Sequence, residues 1–305
     1  MEVVLEVWFM SKDVGSSSSS YMKGILYMLI SGLGFAMMNT FCSLAGDVSP
    51  FQRSVFCYGG VMLWAGLMLL KGHERFYPGK KDFGLIMCRA FIGSIGTFGN
   101  FYAISYLFVA DATMLSKLSP FYTLLCAAWF LKEKTSWKQY LMVLGAFLGM
   151  LLIVKPSGDM NGLGFPYLIG IIGGIGAGVA FTFVRVLGRR NVNSMLIVFW
   201  HSTVSCLLGV PFMLMHPDPL SFKQVMLLLI ATIGTMLGQW GVTMAYRAAA
   251  PNRISIFDYS TVVFSAILGF IFIGQVPDGV SLIGYLVIFL MSYLMFVYNR
   301  RHAEA

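Results

Sequence analysis

Two charged side chains, Lys117 and Asp258, lie inside long apolar stretches of the sequence. If these stretches cross a membrane, a charge within them costs roughly 2.5–3.5 kcal/mol on insertion scales. Each side chain must therefore face water, a ligand or an opposite charge. The pair predicts a central cavity with one cationic and one anionic group, suited to a zwitterionic or carboxylate-bearing small molecule.

Simpler explanations stand beside this one. Lys117 and Asp258 could form a purely structural ion pair, or Lys117 could extend its long side chain to the outer membrane interface. Asp258 could also accept a proton, since carboxylates inside membranes often serve proton relays. The sequence leaves these alternatives open.

Other polar or amphipathic side chains lie near the middle of apolar stretches. Those predicted to hydrogen-bond a substrate are Asn39, Asn100, Tyr102, Gln239 and Trp240. The alternative is that they bond neighbouring helices, as polar residues of helix bundles often do. His201 and Arg89 are candidates for gating or proton coupling together with Asp258, and an Arg89–Asp258 pair is one form of such a gate. The simpler interpretations are that His201 is a hydrogen-bonded core residue and that the Arg89 side chain reaches the membrane interface.

The composition shows what kind of element must position these residues. Of the 305 residues, 58% are hydrophobic and 11% charged, and the mean hydropathy is +0.78. A soluble domain carries about 25% charged residues, so the composition excludes an ordinary soluble enzyme, a nucleic-acid-binding domain and a disordered protein. The five cysteines lie in apolar runs without metal-ligand spacing, and no phosphate-binding loop occurs. We therefore expect no metal, no cofactor and no ATP hydrolysis.

The elements are predicted to be ten transmembrane helices, which makes the chain an all-α integral membrane protein. Each apolar stretch is long enough to cross roughly 30 Å of hydrocarbon as a helix. The predicted spans are 22–44, 53–71, 83–107, 113–131, 138–155, 166–187, 194–215, 223–247, 253–273 and 279–298.

The distribution of lysine and arginine predicts the orientation. With the N-terminus inside, 16 of the 21 lie on the inner side and 3 on the outer side. Such a bias places both termini in the cytoplasm, in the plasma (inner) membrane. It also explains the net charge of +8 without nucleic acid as a partner.

The two halves of the chain correspond when the sequence is shifted by 142 positions. Gly96 then falls on Gly238, Gly99 on Gly241, and Ser116 on Asp258. Five spans in each half give the halves opposite orientations, a pattern typical of transporters with a site near the membrane midplane. The predicted divisions are a disordered cytoplasmic tail (1–21), a first five-helix repeat (22–155), an outer linker (156–165) and a second repeat (166–300).

Short motifs make a resemblance specific. The first half contains the runs 102–107, 110–113, 118–120 and 130–133, and the second the runs 238–239, 245–251, 257–259 and 272–277. Each set resembles the EamA module of the drug/metabolite transporter superfamily, over roughly residues 22–300. The resemblance implies a ten-helix transporter. Two positions depart from it, because Gln275 stands where the first copy has Glu133, and Val262 where it has Pro120.

These observations together predict a secondary-active transporter, an exporter of a small polar or zwitterionic metabolite that works by alternating access. Spans 1, 3, 4, 6, 8 and 9 are expected to line its cavity. An integral-membrane lipid-modifying enzyme is an alternative, although the four histidines lack HxxxD or HExxH spacing. A passive channel or flippase on the same scaffold is another. The expected partners are the substrate and the lipid bilayer, with proton coupling and a homodimer left open.

Overall fold

The structure is a computed structural model that describes residues 2–106, 115–133, 135–154, 164–215, 219–274 and 278–301, with side chains from residue 20 onward. The long elements within this part of the chain are all helices. They are α1 (Glu2–Leu44), α2 (Pro50–Lys71), α3 (Lys80–Tyr106), α4 (Ser119–Phe130), α5 (Trp137–Val154), α6 (Gly164–Arg189), α7 (Ser194–Met215), α8 (Phe222–Ala248), α9 (Pro251–Ile254), α10 (Ser260–Ile273) and α11 (Gly279–Arg301).

Apart from α1, which begins about twenty residues earlier, the helices coincide with the predicted spans to within a few residues, except at two places described below. Within the part of the chain that the structure describes, seven segments are long and apolar enough to cross a membrane, and Trp137–Ile153 is a shorter apolar helix. The exact number of ten crossings stays a prediction. The structure continues α1 back to Glu2, where the sequence predicts a disordered tail. Extending a formed helix adds one hydrogen bond per residue fixed, and the apolar span itself begins at Ser20.

Serine caps start two helices at the same side of the bundle. Ser49 caps α2 and Ser221 caps α8, and each forms a capping box with the glutamine three residues later. The box satisfies backbone N–H groups that the first helical turn leaves free. Gln224 of the second box also donates to the carbonyl oxygens of Ala45 and Asp47, which ties the two halves together.

The packing of the helices repeats between the halves. The 142-residue shift relates α1 to α6, α2 to α7, α3 to α8, α4 to α10, and α5 to α11. The α1–α8 contact is matched by α6–α3, and α1–α10 by α6–α4. The α2–α7 and α5–α11 contacts pair equivalent helices with each other. The two-repeat architecture is therefore visible in the packing as well as in the sequence.

Glycines allow the closest helix crossings, and these are also repeated. A Cβ at Gly99 of α3 would lie 2.7 Å from Gly173 Cα on α6. At the equivalent crossing, a Cβ at Gly241 of α8 would lie 2.8 Å from the backbone nitrogen of Ser31 on α1. Neither distance admits a side chain, so both crossings require glycine, as small-residue seams between membrane helices do. The two seams hold α3–α6 and α1–α8 in symmetric positions around the centre of the molecule.

Two of the predicted spans are not continuous α-helices. The chain turns at Lys117 and Leu118 before α4 begins at Ser119, where 113–131 was predicted to be one helix. Within 253–273, a 3₁₀ turn over Ser255–Tyr259 separates α9 from α10. Pro120 and Pro251 occupy first-turn positions of α4 and α9, where the missing N–H costs no hydrogen bond. Irregular backbone at membrane depth is tolerated where it is buried in protein or lines a cavity.

Candidate functional site

A cavity of about 110 Å³ lies between the two repeats. Its wall comes from α1, α2, α3 and the turn before α4 in the first half, and from α6, α7, α8 and the 3₁₀ turn region in the second. The polar residues that line it are Asn39, Tyr58, Arg89, Thr97, Asn100, Ser116, Lys117, Ser119, His201, Gln239, Asp258 and Thr261. Ligand pockets typically measure roughly 300–1,000 Å³, so in this conformation the cavity is smaller than a typical ligand pocket.

Lys117 and Asp258 form a buried ion pair in this cavity. The Lys117 Nζ lies 2.9 Å from Asp258 Oδ2, and the two side chains are 8% and 7% exposed. The ammonium also donates to Thr261 Oγ1 at 3.0 Å and to the Asp258 carbonyl oxygen at 3.2 Å. Three acceptors thus satisfy all three ammonium protons. The ion pair joins the first repeat to the second.

The interrupted helices position this pair. Lys117 lies in the turn before α4, and Asp258 in the 3₁₀ turn before α10. The Tyr259 hydroxyl donates to the Lys117 carbonyl oxygen at 3.3 Å, a bond between residues that the 142-residue shift makes equivalent. The irregular backbone frees carbonyl groups that a continuous helix would use, and one of them accepts from Lys117. Discontinuous helices commonly form transporter sites in this way.

A second polar cluster surrounds Arg89, which is 1% exposed. Its Nη2 donates to Gln239 Oε1 at 3.3 Å, and Gln239 Nε2 donates to the Tyr58 hydroxyl at 3.2 Å. Thr97 also bonds that hydroxyl, at 3.1 Å. The Nε and Nη1 atoms of Arg89 have no hydrogen-bond partner within the described part of the chain. Arg89 is therefore a buried cation held by neutral side chains.

His201 and Asn39 add unused polar atoms to the same cavity. The His201 ring packs edge-on against Tyr58, with the ring centroids 5.3 Å apart. Among the described residues, neither His201 Nδ1 nor Asn39 Oδ1 has a hydrogen-bond partner. Buried polar atoms are nearly always hydrogen-bonded in folded proteins, so these two atoms have hydrogen-bonding capacity that the described residues leave unused.

The structure brings together seven of the nine residues singled out from the sequence. Asn39, Arg89, Asn100, Lys117, His201, Gln239 and Asp258 all line the cavity. Tyr102 and Trp240 do not. Tyr102 lies in an apolar groove beside Tyr106 and Phe165. Trp240 packs edge-on against Tyr27 and faces a groove that contains Arg247. Each lies on a side of its helix that turns away from the cavity.

Two further expectations differ from the structure. The suggested Arg89–Asp258 gate is absent from the described ion pairs, because Lys117 pairs with Asp258 and Arg89 bonds Gln239. The expected lining by spans 1, 3, 4, 6, 8 and 9 is incomplete, since α2 and α7 also contribute, through Tyr58 and His201. Among the described residues there is no group of three or more His, Cys, Asp or Glu side chains placed to hold a metal ion.

A second set of ion pairs lies at the end of the bundle where α4, α6 and α8 terminate, which we call the basic side. Glu133 Oε1 lies 3.1 Å from Arg185 Nε and 2.6 Å from Arg189 Nη2, and the Glu133 side chain is only 5% exposed. Arg190 pairs with Asp82 at 2.9 Å on the surface. Together with the central pair, every ion pair found among the described residues connects one repeat to the other.

Comparison with known proteins agrees with this two-repeat arrangement. The EamA-like transporter family matches residues 22–155 and again residues 164–297. The chain belongs to the EamA-like transporter family. It is a membrane transporter of the drug/metabolite transporter superfamily.

Characterised relatives carry different molecules. The chain is 28% identical to a pseudopaline exporter of Pseudomonas aeruginosa, over 86% of this chain and 91% of that protein. It is 24% identical to a riboflavin transporter of Vibrio cholerae (88% and 91%) and 23% identical to an S-adenosylmethionine uptake transporter of Rickettsia felis (92% and 97%). A crystal structure with 16% identity superposes with a TM-score of 0.77, over 93% of this chain and 98% of its own, and confirms the fold.

Sequence reasoning missed several cavity residues of this transporter. Tyr58 lies near the middle of α2, whereas membrane tyrosines are enriched at the interfaces. Its position away from the ends of the span could have identified it as a cavity residue. Thr261 follows Asp258 by three residues, which places their polar groups on one side of a helical turn. Thr97 and Gln239 are related by the 142-residue shift, and both bond Tyr58.

Proposed function

We propose that this transporter is a secondary-active exporter of a small polar or zwitterionic metabolite. In this proposal the two repeats rock against each other and open the central cavity to one side at a time. The observation that carries it is the Lys117–Asp258 pair, which is buried in the cavity and connects the repeats. A charged group of the substrate can take the place of Lys117 or Asp258 in the ion pair, and this replacement links substrate binding to the contact between the repeats.

Asp258 is the proton-coupling residue in this proposal. Protonation would remove the charge that holds Lys117 and would weaken the link between the repeats, so a proton gradient could drive the change of state. The proposed site is the plasma membrane, with both termini in the cytoplasm, because the basic side carries most of the lysine and arginine. Homodimer formation is not part of the proposal, because lipid would cover the exposed apolar side chains of α11 as well as a second copy of the chain would.

The proposal is tested with purified protein in liposomes loaded with amino acids, nucleosides, purine derivatives and carboxylates. Wild-type protein should release at least one compound without ATP, and an imposed pH gradient should change the rate. Lys117→Ala and Asp258→Asn should abolish this release while inserting normally. Asp82→Asn is the matched control, because Asp82 forms an exposed ion pair outside the cavity.

Several results would contradict the proposal. Wild-type release by both cavity variants would remove the ion pair from the mechanism. Release that ignores the pH gradient would exclude proton coupling. We also propose that the chain catalyses no reaction and forms no open pore, so turnover of a labelled lipid or single-channel currents would favour the enzyme or channel alternatives.

A further inference from the structure

Arg89 is a buried cation for which the described residues supply no anion. Its side chain is 1% exposed and lines the cavity. Its one described protein partner is the neutral Gln239, and Nε and Nη1 have none. None of the described carboxylates forms an ion pair with it. The structure therefore keeps a charge at the cavity wall that it does not neutralise.

Such an arrangement is costly unless something else compensates for it. Removing an ion from water costs several kcal/mol even after the protein relaxes. Arginine cannot lose its proton to avoid this cost. Snorkelling, which the sequence offered as the simple explanation, does not occur, because a side chain that reached the interface would be exposed. A buried, unpaired guanidinium at a cavity wall points to an anionic ligand.

The charges of the whole cavity support this direction. Among the described residues, the ionised side chains that line it are Arg89, Lys117 and Asp258. Lys117 and Asp258 neutralise each other at 2.9 Å, so the described lining carries a net charge of one positive unit when His201 is counted as neutral. A zwitterion that only replaced the Lys117–Asp258 contact would leave Arg89 unpaired. A substrate with a carboxylate at Arg89 balances the cavity.

A glycine on α3 lets Arg89 lie against the cavity wall. A Cβ at Gly93, one turn along α3, would overlap Arg89 Nη1 and would lie 3.1 Å from His201 Nδ1. The glycine thus lets the guanidinium and the imidazole lie side by side at the cavity wall. Asn39 also lines the cavity, and its Oδ1 has no hydrogen-bond partner among the described residues, so it suits an N–H or O–H group of the same ligand.

We propose that Arg89 is the carboxylate-binding residue of the cavity, so that the substrate is a small organic acid that also carries a hydrogen-bond donor. The proposal rests on the transport function proposed above and specifies its substrate class. Arginine suits this role because its planar donor array matches a carboxylate. Arg89 touches the substrate directly, whereas Gln239 and Tyr58 position its guanidinium.

The test uses the full chain in lipid nanodiscs and a pool of compound pairs that differ only at the carboxylate. The pool contains each L-amino acid with its C-terminal amide, succinate with succinamide, and nicotinate with nicotinamide. Retained compounds are identified by mass spectrometry, and calorimetry gives their affinities. We expect the acid of at least one pair to bind about 10- to 100-fold more tightly than its amide, the range expected of charge-assisted hydrogen bonds.

Three variants make the result specific. Arg89→Gln should remove the preference for the acid, and Arg89→Lys should retain part of it. Arg53→Gln is the matched control, because Arg53 is also buried with Nε and Nη1 unpartnered among the described residues but lies outside the cavity lining. It should keep the wild-type preference. If Arg89→Gln does not fold, Arg89→Lys still decides the question.

Four outcomes would overturn the proposal: equal binding of acids and amides, an unchanged preference in the Arg89 variants, retention of none of the pool, or binding of chloride or phosphate alone. The transport function fails separately. If the wild type selects carboxylates but releases nothing from liposomes, the proposed function is wrong and the role of Arg89 stands. If it releases compounds without regard to their carboxylates, only the role of Arg89 is wrong.

Discussion

In the proposed alternating-access cycle, Glu133→Gln should weaken the contact between the repeats at the basic side of the transporter. Glu133 belongs to the first repeat, and its carboxylate accepts from Arg185 and Arg189 of the second. The substitution keeps the size and the hydrogen-bonding oxygen of the side chain but removes its charge. The pairs separate when the repeats open at this side, so the lost energy falls mainly on the closed state.

The magnitude follows from the exposure of each partner. Hydrogen bonds to charged groups contribute about 1.5–3 kcal/mol, and we place the bond between two opposite charges near the upper end of this range and the bond from arginine to a neutral amide oxygen near the lower end. The bond to Arg185, whose side chain is 15% exposed, should therefore lose about 1 kcal/mol. Arg189 is 46% exposed, and its pair adds no more than about 0.5 kcal/mol after solvent screening. The total, about 1.5 kcal/mol, corresponds to a roughly tenfold shift toward the open state.

Spin labels at Lys132 and Asn191 would report the opening, because these exposed residues lie near the two sides of the ion pair. Pulsed electron–electron double resonance measures the distance between the two spin labels and gives the populations of the short and the long distances. If the closed state dominates by about ten to one in the wild type, Glu133→Gln should bring the two close to equality. Asp82→Asn is the matched control, since its pair with Arg190 also links the repeats but is 30% and 48% exposed. An unchanged distribution in Glu133→Gln, or an equal shift in Asp82→Asn, would refute the reasoning.

The remaining predictions concern the helix seams and the two residues outside the cavity. Gly99→Ala and Gly241→Ala should each lower the thermal unfolding midpoint or prevent folding, because the new Cβ overlaps the backbone of the facing helix. Gly84 lies on α3 with open space around it, so Gly84→Ala should be neutral or slightly stabilising. Equal stability of the three variants would contradict the requirement for glycine at the two crossings. Tyr102→Phe and Trp240→Phe should keep wild-type transport in liposomes because neither residue lines the cavity, and a loss above about tenfold in either would return that residue to the site.

The fold was predictable because its causes are local and repeated. Apolar stretches of sufficient length must be helices in lipid, and the 142-residue correspondence predicts the two-repeat packing. The breaks at Lys117 and at Ser255–Tyr259 were not predictable in the same way. Both segments have apolar neighbours that are compatible with a helix, and the irregular backbone is stabilised by contacts with the other repeat, such as the Lys117–Asp258 carbonyl bond.

The site was predictable in its charges but not in its pairing. Burial cost alone singles out Arg89, Lys117 and Asp258, and all three line the cavity. Which cation faces the carboxylate depends on the rotation of each helix about its axis, and the sequence does not determine that rotation to within one residue. The same uncertainty explains why Tyr102 and Trp240 were predicted to face the cavity although neither lines it. Their chain neighbours Phe101 and Gln239 are buried, whereas their own rings point away from the cavity.

The scaffold of the transporter is symmetric, whereas its charges are not. The glycine seams and the helix contacts repeat under the 142-residue shift, so backbone packing alone would give similar energies to the states that open on either side. The ion pairs break this equality. Arg185 and Arg189 correspond to Ser43 and Asp47, and Glu133 corresponds to Gln275. The opposite side therefore lacks the residues for an equivalent set of pairs, and the charges favour the state that is closed on the basic side. In the proposed transport cycle, substrate binding at the cavity or a proton at Asp258 would have to compensate for that bias.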